Sequence, residues 1–279
     1  MPTPRQYQFD IDTKRYLNRV NTYRSLIGLS PISNSDAVDI DNFIIGLKDL
    51  GLWYNMICYP FRSIHNIGAG ATALSLGGGQ QVGADATLIN AATWSNEGVT
   101  RVTASGSLFS TTVKQIDVAP CAHGAVVKNA TDLGNNAGYW FTAGVNVSGR
   151  QFAIGNSSTI AQNFNTYVNL WPPGVGNVGA INVAGLPSFT RTSRHYFSHR
   201  LTTGTTCRFS LNRNQVNQGS VGSNWNSSSP QFVRFGAYNV ALNLTASFAF
   251  LSNSLVSDIQ DASLYSLIKT TIGKGLELP

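Results

Sequence analysis

Residues 230–273 read PQFVRFGAYNVALNLTASFAFLSNSLVSDIQDASLYSLIKTTIG, and the reading of this stretch decides the fold. Phe232, Arg234 and Gly236 precede a polar turn over 237–243. Residues 247–251 (SFAFL) are nearly all apolar, which suits a strand buried on both faces. Ser257 fits a helix N-cap, with Gln260 as its capping-box partner and Asp258 placing negative charge in the first turn. Ile259, Ala262, Leu264, Tyr265, Ile268 and Ile272 recur at helical spacing, and Gly273 marks a stop. The stretch therefore reads strand, turn, buried strand, closing helix.

Working outward, the N-terminal part carries two further helical patterns. Asp12 or Thr13 caps the first, which runs to about residue 27 on the apolar face of Tyr16, Leu17, Val20, Tyr23, Leu26 and Ile27. Gly28 and Pro31 end it. The cluster Ser33-Asn34-Ser35 caps the second, whose apolar side is Val38, Ile40, Phe43, Ile44, Leu47 and Leu50, with Gly51 as the stop. From about 94 to 254 the chain is a series of short strands separated by Gly, Asn, Ser and Pro, the pattern of an antiparallel sandwich. Strands are expected near 122–128, 139–145, 151–154, 161–163, 166–171, 195–201 and 207–211, with an Asn-rich hairpin turn at 212–214.

These runs resemble the concanavalin A-like, laminin-G-like jelly roll, in the form common in structural proteins of tailed bacteriophages. Leu255, Ser257, Asp258, Ile259, Leu264 and Tyr265 resemble the helix that closes that domain. Ile40, Phe43, Ile44, Gly46, Leu47, Lys48, Gly51, Leu52 and Trp53, followed by Tyr59, Pro60 and Phe61, resemble the run that precedes it in many phage structural proteins. Residues 94–106 (WSNEGVTRVTASG) resemble its early strand, with Arg101 where the family has an aromatic. The resemblance implies a mainly β concanavalin A-like antiparallel sandwich with N-terminal helices and a C-terminal helix. It divides the chain into an N-terminal docking segment, 1–60, and a sandwich with its closing helix, 61–279.

Composition narrows the function. Charged residues make up 11% of the 279 residues, against about 25% in ordinary soluble domains. Neutral polar side chains must therefore cover the surface, as suits subunit packing. The net charge is +6, and its arginines are split between the N-terminal segment (Arg5, Arg15, Arg19, Arg24) and the later β region (Arg191, Arg194, Arg200, Arg208, Arg213). They read as solvated faces and subunit contacts, not as one nucleic-acid stripe. Cys58, Cys121 and Cys207 lie far apart and odd in number, so free buried thiols are expected. The N-terminus has no secretory h-region, and no apolar run spans a membrane.

Catalytic signatures are sparse. Asp36, Asp39, Asp41, Asp258 and Asp261 sit near helix N-termini, where carboxylates complement the macrodipole. Only Asp85, Glu97, Asp117 and Asp132 remain for the β region, without the facing pair that glycoside hydrolysis needs, so no enzyme is expected. His195 and His199 share a strand face but have no third ligand at metal spacing, while His65 and His123 have no partner in sequence. By resemblance to calcium-binding laminin-G relatives, Asp132, Asn135 and Asn136 are the local calcium candidates, although an ordinary turn accounts for the same residues and no cofactor is expected. Trp140, Trp171 and Trp225 are the candidate sugar-stacking aromatics. Tyr16, Val20, Tyr23, Phe43, Leu47 and Trp53 are the expected docking residues. The expectation is a non-enzymatic, multicopy virion protein, made in the host cytoplasm and decorating capsid or tail through protein contacts. The alternative is a lectin-like adhesin for host surface glycans.

Overall fold

The structure, a computed structural model, describes residues 7–77, 84–89, 92–101, 109–114, 121–129, 139–144, 151–156, 164–170, 178–182, 193–202, 206–212, 214–220, 232–236 and 244–279. Three helices, α1 (Ile11–Leu26), α2 (Asn34–Asp49) and α3 (Asp258–Thr270), flank the strands. A 3-10 turn, Trp53–Asn55, leads from α2 into β1 (Met56–Pro60), β2 (Thr72–Ala73), β3 (Leu76–Gly77), β4 (Ala86–Leu88), β5 (Thr93–Ser95) and β6 (Gly98–Arg101). There follow β7 (Phe109–Lys114), β8 (Cys121–Asn129), β9 (Tyr139–Gly144), β10 (Gln151–Asn156), β11 (Phe164–Leu170) and β12 (Val178–Asn182). The last strands are β13 (His195–Leu201), β14 (Thr206–Leu211), β15 (Asn214–Ser220), β16 (Phe232–Gly236) and β17 (Leu244–Ser252).

The strands form two antiparallel sheets. The first runs β15-β14-β13-β8-β17-β1-β3, with the hairpin β5-β6 attached through β6 to β17. The second runs β12-β11-β10-β9-β16-β7-β4-β2. The mainly β antiparallel architecture with two N-terminal helices and one C-terminal helix is the one expected from the sequence. β17 is buried along its whole length, as its apolar run requires. Ser257 caps α3 with the full capping box to Gln260. Asn212 turns the β14–β15 hairpin with a left-handed φ of 54°, which Asn tolerates. The first helix starts slightly earlier than its pattern suggests, because the Asp10 side chain accepts the Asp12 amide as N-cap.

All three helices lie on one face of the first sheet and share its core. Val20, Ile40, Phe43, Leu47, Leu264 and Ile268 pack with Phe248, Phe250, Val126 and Tyr196. The Phe43 and Phe248 rings meet edge to face at 5.5 Å. Two glycines permit the close approach. A Cβ at Gly46 would come within 2.4 Å of Leu267 Cδ1 on α3. One at Gly124 would come within 2.2 Å of the Phe250 ring, which lies over β8.

This packing corrects the docking expectation. Tyr16, Val20, Phe43, Leu47 and Trp53 are buried inside the chain itself, and of the six only Tyr23, 43% exposed, faces outward. The apolar stripes serve the protein's own sheet because that sheet has a second face that only the helices cover. The strand β1, within the expected N-terminal segment, lies between β17 and β3, so residues 1–60 and 61–279 share a sheet as well as a core. The arginines are also not simply solvated: Arg194 and Arg200 are buried, and Arg24 donates to the carbonyls of Ser63 and Asn66.

Candidate ligand-binding cleft

The α1 helix, the 3-10 turn and β3 enclose a cleft of ≈480 Å³. Tyr16, Trp53, Leu76 and Gly77 supply its apolar lining, and Asp12, Arg15, Asn18, Arg19 and Ser75 its polar rim. Helical spacing brings Asp12, Arg15 and Arg19 onto one side of α1. Arg19 is fixed by a bidentate pair to Asp85, with Nη2 at 2.9 and 2.8 Å from the two carboxylate oxygens. Asp85 also accepts the Ser75 amide at 2.9 Å, which ties α1 to the segment before β3. Lys48 reaches Asp10 and Asp12, each at 2.7 Å, while lying over the Trp53 ring at 5.6 Å from its centroid. The hydrogen bond from Lys48 holds the Asp10 carboxyl below its ordinary range. Arg15, by contrast, is largely exposed, and its pair with Asp12 spans 3.2 Å.

The floor is rigid, and one of its donors is unmet. The Tyr16 hydroxyl donates to the His65 carbonyl at 2.8 Å, and burial pushes its pKa up. Trp53 is 3% exposed, and its indole Nε1 has no hydrogen-bond partner. A buried N–H without an acceptor costs about 1–3 kcal/mol. Among the described residues the lining holds one carboxylate, Asp12, already paired with Arg15 and Lys48. The cleft thus offers an apolar wall and cationic donors, but not the facing carboxyl pair of a glycoside hydrolase.

A second cluster lies nearby. Asp36 and Asp39 of α2 and the buried His65 bring three ligand-type atoms within 4.8 Å of one another. Burial, then the charge of Arg62, pushes the His65 pKa down to about 3, so its imidazole is neutral. The sequence reading assigned Asp36 and Asp39 to the helix dipole alone and left His65 without a partner. The fold joins them because the turn after β1 lies against the start of α2.

The other sequence candidates fare differently. Asp132, Asn135, Asn136, Trp171 and Trp225 lie outside the described residues, and Trp140 is placed only as a backbone position on β9. His195 and His199 are both buried on β13, and His199 sits across from His123 on β8. Trp53, expected as a docking residue, lines the cleft instead. The Cys58 and Cys121 thiols are free and buried as expected. Among the described residues no helix is long and apolar enough to cross a membrane.

No family model matches the chain, and no curated protein matches it. Solved structures do. The chain is similar to Trypanosoma rangeli sialidase in complex with sialic acid, with a TM-score of 0.54 and 11% identity over 94% of this chain and 39% of that one. It is similar to the binding domain of Paraclostridial Mosquitocidal Protein 1, with a TM-score of 0.53 and 8% identity over 77% of this chain and 52% of that one. The chain spans less than two thirds of the length of either structure. At such identities the likeness is one of fold alone, a mainly β architecture of antiparallel sheets.

Proposed function

We propose that this protein is a non-enzymatic carbohydrate-binding β-sandwich, and that the cleft between α1 and β3 is where the sugar sits. The observation that carries the reading is a cleft with Tyr16 and Trp53 in its wall and Arg15, Asn18 and Arg19 on its rim. A sugar ring offers apolar C–H faces to such a wall and hydroxyl acceptors to such donors. The fold neighbours support it: one is a sialidase in complex with sialic acid, and another is the binding domain of a mosquitocidal protein.

The test is a glycan array followed by calorimetric titration of the best sugar. Arg15→Ala and Asn18→Ala each remove an exposed donor from the rim. Each should weaken binding by about three- to tenfold, the value of one hydrogen bond, with the melting temperature of Arg15→Ala unchanged. An array at background, or affinities indifferent to both changes, would sink the proposal.

A second reading places the protein in the virion of a tailed phage, as a multicopy accessory on capsid or tail. It is favoured by the likeness of Ile40–Trp53 to runs in phage structural proteins. It is also favoured by Tyr23, Leu26 and Ile27, exposed apolar side chains at the end of α1 that a neighbouring subunit could cover. In this reading the sandwich is the adhesin of that particle. Cryo-electron microscopy of particles carrying the protein decides it: the end of α1 should be covered by another subunit, and absence from particles would remove the virion claim.

A further inference from the structure

We propose that Asp36, Asp39 and His65 form a binding site for a divalent transition-metal cation of the zinc type. The site is independent of the sugar-binding reading.

His65 sits in the turn after β1. Its backbone is thoroughly anchored. The Asn66 side chain donates to the carbonyls of Pro60 and Leu74, at 2.8 and 2.9 Å, and accepts from the amides of Ile67 and Leu74. Tyr16 donates to the His65 carbonyl, and Arg24 to that of Ser63. The imidazole held by this framework is 1% exposed, yet neither ring nitrogen has a hydrogen-bond partner. Its Nε2 faces Asp36 Oδ1 at 3.9 Å, too far for a hydrogen bond and consistent with a gap between them. A buried imidazole left this way calls for an explanation, and an ion is one.

The carboxylates are arranged to match. Ser33 Oγ donates to Asp36 Oδ2 at 2.5 Å, which leaves Oδ1 for the histidine side. Asp39, one helical turn on, adds the second carboxylate. One imidazole and two carboxylates suit zinc and its neighbours, with a fourth position for water. Calcium and magnesium prefer oxygen ligands alone, and calcium takes more of them. Zinc bonds near 2.0–2.2 Å would draw the ligand atoms to about 3.3 Å apart, so the side chains close in on the ion. The nearby cations do not block this. Arg62 is committed to the carbonyls of Asn96, Ile272 and Lys274. Lys274 stands 3.4 Å from Asp39 with its own side chain 65% exposed, free to swing into solvent. The bound ion would pin the start of α2 to the turn after β1.

The experiment uses the full chain after chelator treatment, titrated with zinc chloride by calorimetry and with cobalt chloride by visible absorption. The expected result is a single zinc per chain, a cobalt spectrum of low coordination number, and a melting temperature raised by zinc. His65→Asn and Asp39→Asn should each weaken zinc binding by about tenfold or more. Asp39→Asn is the decisive variant: among the described residues its ion pair goes to the exposed Lys274 and its charge also bears on Arg62, whose three carbonyl acceptors remain, so the fold should survive, as circular dichroism will check. Lys274→Ala should bind zinc at least as tightly as the parent chain. No saturable zinc binding by the parent chain, or a folded Asp39→Asn that binds zinc unchanged, overturns the proposal.

Discussion

The two faces of the first sheet are both buried, but by different chemistry. Toward the helices, Tyr196, Arg200, Phe248 and Phe250 meet α2 and α3. Here polar groups come with partners: Tyr196 donates to Asp261 at 2.7 Å, and Arg200, 1% exposed, donates to Asp258 at 2.5 Å and to Ser210 at 2.8 Å. Arg208 joins Asp258 from the neighbouring strand. On the opposite face, β8 and β13 place His123 and His199 across from each other, beside Phe197 and Phe209. Burial pushes both imidazoles down to about 3 and keeps them neutral. The helical face thus carries charge that is paired, although Arg200 Nε is left without a hydrogen bond, whereas the inner face carries titratable groups held uncharged. A face covered late by a separate layer can be clamped by ion pairs, because α3 brings the carboxylates with it. Among the described residues of β8, β13 and β14 the opposite face holds no charged side chain, as burial without a partner would be costly.

The contrast can be broken at its strongest point first. Arg200→Met leaves the buried Asp261 without its nearest cation, 3.9 Å away, and should cost about 3–5 kcal/mol in urea unfolding. A loss below about 1 kcal/mol would mean that the clamp is decorative.

The inner face answers to pH. Above pH 6.5 folded and unfolded chains both hold neutral imidazoles; below it the unfolded chain takes up protons that the folded one refuses until about pH 3. Stability should therefore fall with acid, by about 1.4 kcal/mol per pH unit for each of His123 and His199. Unfolding curves at pH 7, 6 and 5 measure the slope, and His199→Asn should remove about a third of it, because the buried His65 is also held near 3 and adds its own share. A flat profile would mean that the inner face tolerates charge after all.

The smallest effect sharpens the helical side. Ser257→Ala removes the hydroxyl half of the α3 capping box, the acceptor of the Gln260 amide, and should cost about 1 kcal/mol, read as a lower melting temperature with the acid slope unchanged. A changed slope would show that loosening α3 opens the inner face too.

What the sequence disclosed follows from the range of the interactions. The capping box of Ser257 and Gln260, the helical stripes and the apolar run in β17 are local patterns, and they were legible. The role of those stripes was not, because Phe43 and Leu47 look the same whether they cover a partner or the chain's own Phe248 and Phe250. Met56–Pro60, which pairs with β17, carries no turn signal to set it apart from the preceding helix. Asp36, Asp39 and His65 are separate in sequence, and only the Asn66-braced turn brings them together. Trp53 was visible as an aromatic, but its unmet N–H is a property of packing alone.

The register of β1 against β17 sets a timetable. Met56 pairs with Ser252 and Pro60 with Phe248, so a strand near the start of the chain finds its neighbour almost at the end. While the chain is being synthesised, α1 and α2 leave the ribosome with Val20, Phe43 and Leu47 exposed and nothing to cover. They wait through every intervening strand until residues 244–270 emerge. Closure is thus a late event of high contact order, slow by the standards of helical domains. In the interval those apolar side chains are exposed surface that favours aggregation.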